Sequence, residues 1–457
     1  MTPLPPASKK QIIKKYNVAA PRYTSYPTVP FWDPSTFSTE LWLDRMDQTF
    51  RATNAEEGIS LYIHLPYCES LCTYCGCNTR ITVNHAVERP YIEAVLAEWK
   101  MYVSEWKERP CIKEIHLGGG TPTFFSAEHL RMLIQGIIDD ADLCEEVECS
   151  FEAHPANTTL AHLQTLYDLG FRRLSLGIQD FDRQVQEMIH RFQTVAQVEE
   201  VVRQARTIGY SSINFDLIYG LPKQTLATVG TTVSEVLRMR PERIAFYSYA
   251  HVPWLKPGQR KYTDADLPAE EEKLALYELG REQFIAAGYE DVGMDHFALP
   301  NDELVIASRE GRLHRNFMGY TTTTSRLLIG LGVSAISDSW TAFAQNHKTV
   351  EAYLLAISKG EWPIYRGHGL SREDEDIREH LLELMCTFET TWPESLPIDH
   401  SILQEINTME SDGLLEWKNQ TLRMTDFGRR FVRNAGMLLD ARLRRSQSEM
   451  TRFSSAV

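Results

Sequence analysis

What this chain lacks narrows its function early. No apolar run approaches the roughly 20 residues that a membrane helix needs, although 43% of its 457 residues are apolar. The opening MTPLPPASKKQIIKKY has charge but no apolar stretch, so it does not read as a secretory signal. A cytoplasmic address is therefore expected, where thiols stay reduced and clustered cysteines mean metal or catalysis. Basic charge is also short: 47 Lys and Arg face 62 Asp and Glu, a net charge of −15. That balance argues against a nucleic-acid partner and leaves room for a local basic pocket for an anionic small molecule. No G-x-G-x-x-G dinucleotide fingerprint is present, and there is no tandem repeat, low-complexity tract or sustained heptad. A soluble monomer of two or three domains is expected.

Cysteine is scarce too, with eight in all, which makes their clustering informative. Four of them, Cys68, Cys72, Cys75 and Cys77, fall within LYIHLPYCESLCTYCGCN (Leu61 to Asn78) at C-x3-C-x2-C-x-C spacing. Soft thiolates select zinc, copper(I) or iron–sulfur clusters. Structural zinc sites split into separated ligand pairs, whereas one tight loop is commoner for iron–sulfur ligation. A four-iron cluster held only by Cys68, Cys72 and Cys75 leaves one iron open to another molecule. A four-cysteine zinc site completed by Cys77 is the alternative. Cys111, Cys144, Cys149 and Cys386 are scattered and are expected to be structural.

Along the chain, residues 1–58 read as an arm: Pro5, Pro6 and PRYTSYPTVPFW (Pro21 to Trp32) suggest extended chain with turns. It is either a strap of packed tyrosines or a segment that reaches the active site, with Arg22 as its anionic-substrate contact. From 59 to 252, strand and helix patterns alternate. The strand candidates are Ile59–Leu65, Lys113–Leu117, Val147–Ala153, Arg173–Gln179, Ser212–Ile218 and Arg243–Ala250. Helical stretches include Arg89–Trp106, Ala127–Asp139, Val195–Ile208 and Leu226–Met239. Six such parallel units predict an incomplete (β/α)6 barrel of TIM type, with an open doubly wound sheet as the rival.

The strand faces favour the barrel. Parallel strands covered on both sides read as near-continuous apolar runs, but here several alternate. Leu61, Ile63 and Leu65 oppose Tyr62 and His64; Phe151 opposes Glu152; Leu176 and Ile178 oppose Gly177 and Gln179; Phe215 and Leu217 oppose Asn214 and Asp216. Period two fixes these faces, and a polar inner face means a lumen that holds a ligand. The second strand ends in Gly118-Gly119-Gly120-Thr121-Pro122-Thr123, where glycines allow close backbone approach. Residues 253–370 form a barrel extension and connecting region, with helix Pro268–Ala287. GMDHFALP breaks the pattern there, and HRNFMGYTT and GLGVSAIS read as loops or short strands near a site. Residues 371–457 form a mostly α-helical C-terminal domain with a small strand pair, Leu414–Lys418 and Thr421–Thr425. The basic tail at Arg442, Arg444 and Arg445 reads as a solvated helix face.

C-x3-C-x2-C after a strand resembles the radical S-adenosylmethionine (SAM) enzymes. PRYTSYPT, YIHLPYC, CGCN, GGGTPT, GIQDF, NFDLIYGLPKQT, YAHVP, GMDHFA, HRNFMGY and GVSAIS together resemble one family among them, the oxygen-independent coproporphyrinogen III oxidases. The resemblance implies oxidative decarboxylation of two propionates of coproporphyrinogen III to vinyl groups, giving protoporphyrinogen IX. The 5′-deoxyadenosyl radical for this would come from SAM at a [4Fe-4S] cluster. It implies Cys68, Cys72 and Cys75 as cluster ligands, with Tyr62, His64 and Cys77 as catalytic candidates. Tyr62, Gly119, Gly120, Thr121, Glu152, Gln179, Arg191, Asp216, Ala250 and Ile336 match SAM-binding positions, for one or two molecules. An electron-donor protein and a separate electron acceptor are implied as well. Related haem carriers share this core, but the PRYTSYPT arm and Cys77 favour the oxidase.

Overall fold

The computed structural model describes residues 6–446. Its centre is a twelve-stranded sheet. Six strands, β1 (Ile59–Leu65), β2 (Cys111–Gly119), β3 (Asp142–Ala153), β4 (Arg173–Gln179), β5 (Ser212–Tyr219) and β6 (Arg243–Ser248), lie side by side in chain order. Each pairs parallel with the next, the arrangement of an incomplete (β/α)6 barrel. Beyond β6 the edge is a hairpin of β7 (Glu290–Gly293) and β8 (His296–Ala298), with β8 antiparallel to β6. On the other side β9 (Leu327–Leu331) pairs parallel with β1. Then β10 (Ile336–Asp338), β11 (Ala342–Asn346) and β12 (Ile364–Gly369) follow outward. GMDHFALP and GLGVSAIS thus extend the sheet rather than interrupting it.

Sequence explains the covering helices. In Ala127–Ile138, Val195–Ile208 and Leu226–Met239 the buried positions recur at helical spacing, for example Val198, Val201, Val202 and Ala205. Ser126, Thr194 and Thr225 cap them by accepting from a backbone N–H in the first turn. Strand residues of the opposite face (Leu61, Ile63, Leu65, Leu176, Phe215) are fully buried against these helices. The core therefore lies between sheet and helices, and the polar strand faces are left for the lumen.

The chain divides into two compact units, Phe37–Val305 with Thr323–Gly367, and Met1–Thr36 with Ile306–Thr322 and His368–Val457. The second is mostly helical (Arg372–Thr387, His400–Ser411, Val432–Leu439, Ala441–Arg445), with a three-stranded sheet of Glu389–Thr391, Thr421–Met424 and Leu415–Lys418. Asn434 Nδ2 donates to Tyr16 O (2.9 Å), Arg433 Nε to Pro21 O (3.0 Å) and Tyr23 OH to Asp440 (3.2 Å). These bonds strap the N-terminal segment to helix Val432–Leu439.

Several expectations need correction. The first 58 residues are not simply extended: Pro6–Tyr16 and Thr39–Thr53 are helices. Proline is tolerated at a first helical position, where its missing N–H would have no partner anyway. In the other helix Ser38 caps the start, and Trp42, Met46 and Phe50 share one buried face. Pro5 lies outside the described residues. The C-terminal arginines are paired rather than merely solvated: Arg442 with Asp374 (2.7 Å), Arg444 with Glu405 (3.0 Å) and Arg445 with Glu373 (2.6 Å). Cys111 and Cys144, expected to be structural, are joined as a disulfide with Cα atoms 5.6 Å apart, a pairing that their distance in sequence gave no sign of. Parallel pairing of Cys111 with Asp142 brings the second cysteine alongside the first.

Candidate active site

At the C-terminal ends of the parallel strands lies a cavity of about 410 Å³, where barrel enzymes place their chemistry. Cys68, Cys72, Cys75 and Cys77 line one wall, and Gly119, Gly120 and Thr121 another; Glu152, Gln179, Arg191 and Asp216 complete it. Most of these residues come from the loop after β1 and from β2 to β5 or their C-terminal ends, with Arg191 following the helix Arg183–Ile189, so the fold has gathered side chains that are up to about 150 residues apart in sequence. Ala250 and Ile336 are not in the lining. Ala250 follows β6, where its carbonyl accepts from Gln259 Nε2 (3.3 Å), and Ile336 begins β10.

Tyr62 and His64 lie beneath the glycine turn. Tyr62 OH donates to His64 Nδ1 (3.0 Å), and His64 Nε2 donates to Asn78 O (2.9 Å). A carbonyl only accepts, so this network places the imidazole proton on Nε2. Burial holds the His64 pKa below its ordinary value, so the ring is neutral. Burial also raises Tyr62 well above the usual phenol range, and the nearby charge of Glu152 adds to this. Gly119 has φ +115°, and a Cβ there would fall 2.8 Å from the His64 ring. Only glycine fits, for both backbone and steric reasons. Its N–H donates to Glu152 Oε2 (3.2 Å).

Asp216 and Arg191 in the lining are hydrogen-bonded as well. Asp216 accepts from Ser175 Oγ and Asn214 Nδ2, both at 2.9 Å; burial, reinforced by the Glu152 charge, pushes it up to about 6. Arg191, which as sequence could pass for an exposed side chain, is 9% exposed. Its guanidinium donates to Gly177 O and reaches Cys72 Sγ at 3.6 Å. Burial pushes the Cys68 thiol up to about 11, opposed by a contact with Thr121 Oγ1 at 3.3 Å. Cys75 is held below the ordinary thiol range, chiefly by hydrogen bonding from Cys77, with Lys256 and Arg191 adding positive charge. His154, Asn157, His190 and Tyr247 also line the cavity. None was singled out from sequence, although His154 follows Glu152 by two and so shares its strand parity.

A second network fixes the neighbouring GLGVSAIS turn. Fully buried Glu98 accepts from Gly332 N (2.8 Å), Tyr353 OH (2.7 Å) and Asn346 Nδ2 (2.6 Å). Burial raises its pKa to about 7. Tyr91 OH donates to His64 O (2.7 Å) and accepts from Val333 N (2.9 Å), so the turn is tied to the end of β1.

The donor set fits an iron–sulfur cluster. Three thiols on one short loop, near a buried guanidinium, face a cavity that the glycine turn leaves open. Among the described residues no three His, Cys, Asp or Glu side chains close on a single ion; a four-iron cube takes its thiolates at separate corners. The same cavity offers carboxylates and backbone groups suited to an amino-acid-bearing cofactor.

Comparison with known proteins agrees. The Radical SAM superfamily model matches residues 62–236. An oxygen-independent coproporphyrinogen III oxidase of Synechocystis sp. is 38% identical, covering 98% of this chain and 97% of the relative. One of Escherichia coli is 35% identical, covering 98% of each. The solved E. coli coproporphyrinogen III oxidase, described as a radical SAM enzyme, superposes with a TM-score of 0.85 at 33% identity, over 94% of this chain and 98% of the other.

Proposed function

From the premise that the chain belongs to the oxygen-independent coproporphyrinogen III oxidases of the radical SAM superfamily, we infer that it converts two propionates of coproporphyrinogen III to vinyl groups. The product is protoporphyrinogen IX. Each propionate loses carbon dioxide, one proton and two electrons. The relatives are named as oxidases, so the haem-carrier reading is not favoured.

The observation that carries this reading is the meeting, in one cavity, of the cysteine loop, the glycine turn and the inward carboxylates. Cys68, Cys72 and Cys75 would hold the cluster, and Gly119, Gly120, Thr121, Glu152, Gln179, Arg191 and Asp216 would surround SAM. When bound, the pair supplies one-electron chemistry strong enough to take hydrogen from an unactivated carbon. The protein's part is position and dryness. Tyr62 and His64 form a neutral, hydrogen-bonded floor that adds no charge beneath the reacting centre. Arg191 places a fixed positive charge beside Cys72, and Glu152 orients the turn through Gly119 N–H. Ala250 and Ile336 would contribute by backbone or apolar contact only. One or two SAM molecules, a protein electron donor, a separate acceptor, a monomeric state and a cytoplasmic address belong to the same reading.

The test is anaerobic: the reconstituted protein, a reductant, SAM and coproporphyrinogen III, followed for 5′-deoxyadenosine and porphyrin products. Formation of both 5′-deoxyadenosine and protoporphyrinogen IX supports the reading. Cofactor cleavage without decarboxylation rejects this substrate, and an intact reduced cluster that cleaves nothing rejects the chemistry.

A further inference from the structure

The proposed substrate is a tetracarboxylate, of which two carboxylates react and two are retained. The cavity is poorly suited to four negative charges. Its lining contains the carboxylates Glu69, Glu152 and Asp216 against one permanent cation, Arg191, and that guanidinium is already engaged by Gly177 O and Cys72. The whole chain carries −15. A carboxylate leaving water needs a charged or hydrogen-bonded partner, so the retained pair calls for cations elsewhere.

Such a group stands at the rim of the cavity, organised around the Cys77–Asn78 dipeptide. Lys256 Nζ donates to Cys77 O (3.4 Å), and Asn78 Nδ2 donates to Lys348 O (3.0 Å), so two lysines from distant segments flank one turn of the cysteine loop. Lys348 Nζ lies 5.9 Å from the centre of the Tyr365 ring, and the next residue, Arg366, donates from Nε to Gln345 Oε1 (2.8 Å). No carboxylate among the described residues pairs with Lys256 or Lys348. The cations feel one another: Lys348 is held below its ordinary pKa by partial burial and then by Arg366 and Lys256. Trp254 and Leu255, 64% and 63% exposed, adjoin Lys256 in sequence and offer apolar surface to a macrocycle. Like charges gathered on an acidic protein are unfavourable until an anion arrives.

We propose that Lys256, Lys348 and Arg366 form the subsite for the two substrate carboxylates that are not removed. The proposal rests on the substrate reading above. Geometry places the subsite beside Cys77, which lines the cavity, so a macrocycle held here by its retained edge presents its other edge to the cysteine loop.

The experiment uses the reconstituted protein and two stable porphyrins in equilibrium binding. Coproporphyrin III has all four carboxylates; mesoporphyrin IX has only the retained pair. Lys348→Met and Arg366→Gln are expected to weaken both porphyrins about tenfold, as loss of a partly screened charged hydrogen bond should. Lys348→Arg should bind within about twofold of wild type, because it keeps the charge. SAM binding and the cluster spectrum should not change. Unchanged affinity for both porphyrins in the variants overturns the subsite. Weakening of coproporphyrin III alone also overturns it, because the cations would then hold the reacting carboxylates. Failure of the wild type to bind coproporphyrin III or turn over its porphyrinogen is a different result, and it rejects the substrate reading itself.

Discussion

Gly119→Ala tests how tightly the site is built. Gly119 combines φ +115° with a would-be Cβ 2.8 Å from two atoms of the His64 ring and 2.9 Å from a third. Backbone strain at such a position costs on the order of 1–3 kcal/mol. The ring cannot step aside freely, since Nδ1 is held by Tyr62 OH and Nε2 by Asn78 O. Displacing it breaks at least one buried hydrogen bond, adding about 1–3 kcal/mol. A total of roughly 2–6 kcal/mol follows from these two effects. Gly170→Ala is the natural control: φ is +97° and nothing lies within 4 Å of its added methyl, so strain alone acts, at about 1–3 kcal/mol. Denaturant midpoints of the two apoproteins give the comparison, because a chain of two units need not unfold in two states. The double variant Gly119→Ala/His64→Ala should recover part of the loss, as neighbouring substitutions are non-additive. Equal midpoints for Gly119→Ala and Gly170→Ala, with normal SAM binding in the former, would refute the steric argument.

Two further predictions concern other groups. Glu98 has a folded pKa of about 7 against an ordinary 4.5, so protonation favours the folded state; its stabilisation is complete below about pH 4.5 and is lost as pH rises through about 7. The span corresponds to about 3 kcal/mol, and Glu98→Gln should flatten the fall in stability between pH 5 and 8 in denaturation series; an unaltered slope would remove Glu98 as its source. Cys77→Ser should retain iron after reconstitution while Cys72→Ser should lose it, with metal analysis and the visible spectrum as readouts; iron loss from Cys77→Ser would instead make it a fourth ligand.

Much of this architecture was legible because period-two alternation is a local signal. Ile59–Leu65 and Arg173–Gln179 are strands with the expected ends, and Glu152, Gln179 and Asp216 lie on lumen faces that alternation alone identifies. The signal faded where strands were short, as at Glu290–Gly293 and His296–Ala298, which contain too few residues to show a period. Helix Thr39–Thr53 was hidden by the prolines before it, although Ser38 and the spacing of Trp42, Met46 and Phe50 announce it. Arg191 was ambiguous because it lies outside every strand and its partner, the Gly177 carbonyl on β4, is distant in sequence. Lys256, Lys348 and Arg366 could not be grouped from sequence at all, since only folding brings Lys256 and Lys348 to the Cys77–Asn78 turn and Arg366 within electrostatic reach of Lys348.

The sheet begins at β12 and finishes at β7 without joining its own ends. A closed eight-stranded barrel has a bore set by strand number and stagger, one just wide enough to be filled by side chains. An unclosed wall has no such fixed girth. Its circumference can change through side-chain substitutions along the edge strands while every interior ladder stays paired, so guest molecules of different girth can be accommodated without redesigning the frame.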